Sequence, residues 1–298
     1  TRIFSPEDGR KMGLQGMIDE LVKGCDWSPL QYGLPALDAA HVSATDEAEL
    51  ARAITLAEHS AVDEEAAAAW RRWSAPLAER AVASSAPVIG ITGTGGAGKS
   101  SLVDELVRRY VEDFPDRRVA VLSVDPTRRR TGGALLGDRI RMNAIDSGQV
   151  FMRSLATRGS GSELSGALDE AIVLCRAAGF DLVIAETSGI GQADASIVDL
   201  VDLAVYVMTP EFGAQTQLEK IEMLDLAHMV VVNKFDKPGA LDALRDVRKA
   251  FQRAHERFDQ APESMPVYAA MASQWGDRGT NRVYVELLAA LHARGEHP

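Results

Sequence analysis

Two cysteines in 298 residues, Cys25 and Cys175, stand far apart and in no CxxC or CxH spacing. A disulfide framework or a cysteine-rich metal site is therefore not expected. Cys175 falls in the apolar helical pattern AIVLCRAAGF and reads as a core residue. Long hydrophobic runs are also missing, since no stretch reaches the ~18 consecutive apolar residues that a membrane-spanning helix needs. Thr1–Arg10 carries no basic flank followed by an apolar run, so it is not a secretory signal. It also lacks an initiator Met, which predicts an excised or processed piece of a longer chain. Positive charge is scarce. A net charge of −11 argues against a nucleic-acid partner, whose binding energy comes mainly from neutralised phosphates. Internal repeats and long low-complexity runs are absent as well. What remains is a protein expected in a reducing, cytoplasmic compartment, with neither membrane nor nucleic acid as partner.

Apolar residues at 46% and charged residues at 25% are the balance of an ordinary globular protein. Composition changes near Ser84-Ser85-Ala86-Pro87, which divides the chain into a linker and helical region at 1–82 and a larger domain at 83–298. In the first part, Thr45-Asp46-Glu47 marks a helix start, with Leu50, Ile54 and Ala57 at helical spacing. Trp70, Trp73 and Leu77 continue an apolar stripe expected to pack on the next domain. In the second part, β-branched runs alternate with amphipathic helices. The expected strands are Val88–Thr92, Val119–Val124, Val150–Leu155, Leu182–Glu186, Leu203–Met208, Met229–Val232 and Val267–Ala270. Several are apolar almost throughout, as strands covered on both faces are. Leu102, Val103, Leu106, Val107, Tyr110 and Phe114 form one helical face. This alternation predicts an α/β fold: a doubly wound, mostly parallel sheet with ligands at the carboxyl ends of its strands.

The motifs fall at those ends. Gly93-Thr94-Gly95-Gly96-Ala97-Gly98-Lys99-Ser100 matches G-x-x-x-x-G-K-[ST], between the strand VIGIT and the helix SLVDELVRRY. Glycines let backbone N–H groups wrap a phosphate, and the helix amino end adds a favourable dipole. Gly95, Gly96, Ala97, Gly98, Lys99, Ser100 and Ser101 are the expected phosphate contacts, with Lys99 on the β- and γ-phosphates and Ser100 on Mg²⁺. Asn233-Lys234-Phe235-Asp236 follows the apolar run MVVV and reads as N-K-x-D. Guanine offers two adjacent N–H donors that the Asp236 carboxylate can accept. Adenine offers no such pair and would leave the carboxylate unpaired, at a cost of ~1–3 kcal/mol. Asn233 would brace the phosphate loop, and the Lys234 stem would lie over the purine.

Asp125, Asp138 and Glu186 sit at or near strand ends after the phosphate loop and are candidate Mg²⁺ ligands with Ser100. Six oxygens fill a Mg²⁺ shell, so some of these carboxylates would act through water or in only one nucleotide state. Glu186-Thr187-Ser188-Gly189 stands where D-x-x-G stands in many GTPases, and the Gly189 N–H would contact the γ-phosphate. Gln192 would orient the attacking water, beside Lys99 and Glu186 as the other catalytic candidates. Arg128-Arg129-Arg130 reads as a basic loop facing an acidic partner, and Arg141 is better placed to contact nucleotide.

Together GTGGAGKSS, VLSVDPT, TGGALLGDRIRM, GFDLVIAETSGIGQ and NKFD resemble one family: the G-protein chaperones of adenosylcobalamin-dependent acyl-CoA mutases. The motifs are clear over about residues 88–236. The opening IFSPEDGRKMGLQGMIDELV resembles the junction after a cobalamin-binding domain, as in mutases fused to their own G domain. The resemblance implies GTP hydrolysis that gates cofactor loading, or release of damaged cofactor, at a mutase in the same polypeptide. By motif position it assigns Lys99, Ser100, Asp125, Asp138, Glu186 and Thr187 to phosphate and Mg²⁺, Arg141 to nucleotide, and Asn233 to Asp236 to guanine. An adenosyltransferase and a second copy of the chain are further partners it implies. Adenosylcobalamin enters only through the mutase, because neither a D-x-H-x-x-G motif nor a substrate barrel is present. The loop from Pro210 to Gln217 departs from the G-D-E-L-Q type of the standalone chaperones, where it signals to the mutase. Two other readings stand beside this one: a nickel-delivery GTPase, disfavoured by six scattered His and no Cys pair, and a module that holds GTP without turnover.

Overall fold

A computed structural model describes residues 3–26, 39–60, 64–126, 142–144, 148–157, 163–187, 196–213 and 221–295. Seven strands form one sheet: β1 (Val88–Gly93), β2 (Val119–Pro126), β3 (Val150–Thr157), β4 (Leu182–Thr187), β5 (Leu203–Met208), β6 (Met229–Val232) and β7 (Val267–Ala269). Their order is β3-β2-β4-β1-β5-β6-β7, and every pairing is parallel. The strand sequences are close to uniformly apolar because both faces are covered. Alternate residues go to opposite sides. On one face Ile89, Ile91, Val121, Ile184 and Val205 pack against α4 (Lys99–Asp113) and α8 (Arg278–Ala293). The 3–4 spacing of Leu102, Val103, Leu106, Val107 and Tyr110 supplies the buried stripe of α4.

The other face is covered in two sections. Val230, Val232 and Val267 meet α6 (Met223–Leu226) and α7 (Ala240–Ala254) through Leu224, Val247 and Phe251. Ala120, Leu122, Phe151 and Val183 meet α2 (Glu47–Ser60), α3 (Glu64–Val82) and α5 (Glu163–Ala178). Leu50, Ile54 and Leu77 are fully buried there, and Trp70 and Trp73 hold their rings 5.6 Å apart. The apolar stripe of the first 82 residues thus packs onto the sheet as its spacing predicts. A partly buried ion pair completes the seam, with Arg153 of β3 on Glu58 of α2 at 2.6 Å and on the Thr55 hydroxyl at 3.0 Å.

The first helix, α1 (Pro6–Cys25), starts on a capping box between Ser5 and Asp8 and buries no side chain. Gly13 breaks its helical geometry at φ 65°. No described helix is long and apolar enough to cross a membrane.

Candidate nucleotide-binding site

β1 ends at Gly93, whose φ of 142° brings it so near β5 that a Cβ would lie 1.8 Å from the Val207 carbonyl oxygen. Only glycine fits there. The chain then turns, with Thr94 N–H bonded to Val207 O and Ala97 N–H to Thr94 O, both at 3.1 Å. Gly98, left-handed at φ 87°, starts α4 and supplies no capping side chain. A 15-residue helix therefore presents its first N–H groups and the positive end of its dipole to the loop. Lys99 is 7% exposed, and its Nζ donates to Gly93 O at 3.0 Å and Thr94 O at 3.1 Å. The ammonium is held on the loop's own carbonyls, where phosphate oxygens can take over as acceptors. Gly95 and Gly96 are exposed and Ala97 is buried, so the loop offers backbone to solvent at its rim. Ser101 is exposed on the first turn of α4.

Ser100 Oγ donates to Glu186 Oε1 at 2.8 Å, joining the phosphate loop to the end of β4. Glu186 is 4% exposed and pairs in register with Ile91 of β1 and Ser123 of β2. An octahedral Mg²⁺ with ~2.0–2.1 Å bonds has neighbouring ligand oxygens ~2.9 Å apart. The hydroxyl and carboxylate oxygens of this pair have the spacing and hardness that such an ion takes. Thr187 follows in β4, and its hydroxyl donates to Thr92 at 2.8 Å. Strand alternation sends that pair to the opposite sheet face from Glu186. The structure thus brings Ser100 and Glu186 together and turns Thr187 away from them. The Asp125 backbone lies at the end of β2, opposite Ala156 of β3. The Asp125 side chain lies outside the described residues. So do Asp138, Arg141, Gly189, Gln192 and the arginines at 128–130.

Asn233 leaves β6 with its backbone N–H on Met208 O at 2.8 Å, and it is 2% exposed. Its side chain ties two loops. Nδ2 donates to Ala97 O at 2.8 Å, and Oδ1 accepts from Ala272 N–H at 3.0 Å. A Cβ at position 98 would come 2.6 Å from Asn233 Nδ2, so the second required glycine makes room for the base-reading loop. Lys234 is left-handed at φ 56°. Phe235 is half-buried, its N–H on Ala270 O at 3.1 Å, and Asp236 is exposed. The expected phosphate and guanine residues that are described therefore share one corner of the molecule, at the carboxyl ends of β1, β4 and β6.

Two contributions escaped the motif reading. The Ala272 N–H follows β7, and as a backbone donor it has no side-chain signal in the sequence. Asp277 starts α8 and accepts from Met271 N–H at 3.0 Å. Beside the site, Lys237 pairs with Glu211 of the turn Pro210–Phe212. Its hydrogen bond, with a further one from Thr209, pulls the Glu211 carboxyl down to about 2.

The family of methylmalonyl-CoA mutase-associated GTPases, MeaB, matches residues 50–287. This chain belongs to it. The fused isobutyryl-CoA mutase of Geobacillus kaustophilus (strain HTA426) is 53% identical over 294 residues, which are 99% of this chain and 27% of that protein. The MeaB-family chain thus spans about a quarter of the length of that relative. A candidate GTPase of Pyrococcus abyssi (strain GE5 / Orsay) is 38% identical over 230 residues, 76% of this chain and 68% of that protein. Among solved structures, a LAO/AO transport system kinase superposes with a TM-score of 0.62 at 23% identity, covering 87% of this chain and 76% of its own. That likeness is one of fold, the doubly wound α/β architecture that the strand pattern predicted.

Proposed function

We propose that this chain is a Mg²⁺-dependent GTPase domain that serves an adenosylcobalamin-dependent acyl-CoA mutase and gates loading or repair of its cofactor. One observation carries the nucleotide half of this reading: the 2.8 Å bond from Asn233 Nδ2 to the Ala97 carbonyl. Through it the guanine-reading tetrapeptide and the phosphate loop form one site, with base and phosphates spanned by two rigid strand ends. Lys99 would move from the loop carbonyls onto the β- and γ-phosphates. Ser100 and Glu186 would hold Mg²⁺, which neutralises charge on those oxygens. Asp125, Asp138 and Gly189 complete the set by motif position, and Gln192 orients the water. The mutase half draws support from the family and from relatives in which the matching segment is part of a fused isobutyryl-CoA mutase. We place the nucleotide domain at 83–298, in the cytoplasm, with the region 1–82 leading into it.

The test is phosphate release from GTP, with and without Mg²⁺, by the chain alone and with an isobutyryl-CoA mutase supplied separately. Mg²⁺-dependent release that rises on adding the mutase is the expected result. Release no faster than buffer in every arm would favour the module that binds GTP without turnover.

A further inference from the structure

The carboxylate of Asp277 is 9% exposed and sits between two elements that have different tasks. It caps α8, accepting from Thr280 N–H at 2.7 Å and Thr280 Oγ1 at 2.9 Å. The same oxygen accepts from Met271 N–H at 3.0 Å, in the loop after β7. The next residue in that loop, Ala272, gives its N–H to Asn233 Oδ1, and Asn233 in turn grips the phosphate loop at Ala97. An Asn side chain can turn its amide end for end, and the Ala272 N–H is what fixes it with Oδ1 towards β7 and Nδ2 towards Ala97. The loop is also pinned from below. A Cβ on Gly279 would lie 2.3 Å from Ala269 O, so α8 starts in direct backbone contact with the end of β7. Burial opposes the charge on Asp277, yet the hydrogen bonds from Met271, Thr280 and Gly279 outweigh it and hold the carboxyl below the usual range. A Ser or Asn would suffice as a helix cap alone. The buried charge reaching to a second loop asks for a second purpose.

We propose that Asp277 is a positioning residue for guanine selectivity: by anchoring the Met271 N–H it holds the Ala272 N–H where it orients Asn233 between the base and the phosphate loop. This rests on the guanine-nucleotide reading above. Asp277 acts through the orientation of Asn233 and not by contact with nucleotide; its influence is largest at the base end and smaller on the phosphate loop that Asn233 grips at Ala97.

Asp277→Ser separates its two tasks. The Ser hydroxyl can still cap Thr280 N–H, but it is one bond too short to hold the Met271 N–H as well. Dissociation constants for GDP and ADP are measured by titration, and the melting temperature is followed alongside. The expected result is GDP binding weakened on the order of tenfold, the worth of one charge-assisted hydrogen bond. ADP binding falls less, because it loses only the brace on the phosphate loop, and the melting temperature stays near that of the parent. The GDP-to-ADP preference, which a merely structural role would not move, falls severalfold. Asp277→Asn keeps an acceptor of the same reach and should restore most of the preference, and Asp277→Thr, the other short cap, carries the test if the Ser variant fails to fold. A preference unchanged in a folded short-cap variant, Asp277→Ser or Asp277→Thr, overturns the role of Asp277. A wild-type chain that binds ADP as tightly as GDP would instead sink the guanine reading on which the proposal stands.

Discussion

At the amino ends of the strands, Asp202 accepts from the Val88 N–H and from Arg176 Nη2, both at 2.7 Å, while Arg176 Nε reaches Ala86 O at 2.9 Å. Asp181 likewise takes the Arg118 N–H at 2.8 Å and the Arg117 guanidinium at 2.6 Å. At the carboxyl ends Lys99, Glu186 and Asn233 are more deeply buried and differently employed. Lys99 rests on two loop carbonyls, Ser100 on Glu186, and Asn233 on two loops at once. Each amino-end acid joins a strand's own backbone to a cation packed beside it, so its bonds are permanent parts of the fold. The carboxyl-end groups join loop to loop through donors and acceptors that a phosphate, a metal ion or a base can replace. Changes at the first end should therefore cost stability and spare binding. Changes at the second should do the reverse.

The largest expected effect is at Lys99. Lys99→Ala removes a charged donor to the phosphates and should weaken GDP and GTP binding on the order of 100-fold, or about 3 kcal/mol. The melting temperature without nucleotide should move little. Titration and thermal melting read the two separately. A variant that melts early and still binds tightly would reverse the contrast between the ends.

Asp236→Asn comes next and sharpens the contrast within the carboxyl end. An amide can donate where the carboxylate only accepts, so guanine affinity should fall about tenfold to 100-fold while xanthine nucleotides gain. Asp236 is exposed, so stability should hold. Retained guanine selectivity would count against its base-reading role.

Much of this division was legible in the residues. Buried parallel strands write themselves as apolar runs, so Met229–Val232 was found to the residue and Val88–Gly93 within one. The phosphate loop was legible because close backbone approach demands glycine at 93 and 98. Ser100 and Glu186 were paired by chemistry before geometry joined them. What hid was whatever rests on backbone atoms or long separations. No side chain advertises the Ala272 N–H that orients Asn233. The Glu58–Arg153 pair lies 95 residues apart in sequence, so the packing of α2 across to β3 left no local mark. The opening segment was read only by its likeness to a junction, so helix α1 and its break at Gly13 came from the structure.

At the amino end, Asp202→Ala should cost stability. Val88 is fully buried, and the change leaves its N–H and the Arg176 guanidinium without their shared acceptor. A loss of about 2 kcal/mol is expected, lowering the melting temperature by roughly 5 °C. GDP affinity should stay within about twofold, less than the worth of one neutral hydrogen bond. A large loss of affinity here would mean the two ends are coupled through the sheet.

The smallest expected effect is a pH dependence, also at the amino end. His228 precedes β6, and its Nδ1 accepts the Ala204 N–H at 2.9 Å, a bond that only the ring's unprotonated nitrogen can make. Burial, then the positive charge of Arg294 and His255, pushes its pKa below the ordinary 6.5. The folded state thus binds this proton less readily than the unfolded chain. Its contribution to stability is fully present above the ordinary histidine value. As pH drops below that value the unfolded chain takes up the proton first, and stability declines until the folded ring also titrates. The check is the urea midpoint of wild type and His228→Asn at about pH 7.5 and about pH 5.5, either side of the ordinary histidine value. Wild type should lose more on acidification than the variant. The difference should be smaller than the Asp202 effect, because the ring is only half-buried and a single backbone donor depends on it. GDP affinity corrected for unfolding should follow the same pH course in both proteins. If it diverges, the amino end reaches the nucleotide after all, and the line of communication runs along β5, whose Val207 carbonyl receives the Thr94 N–H of the phosphate loop.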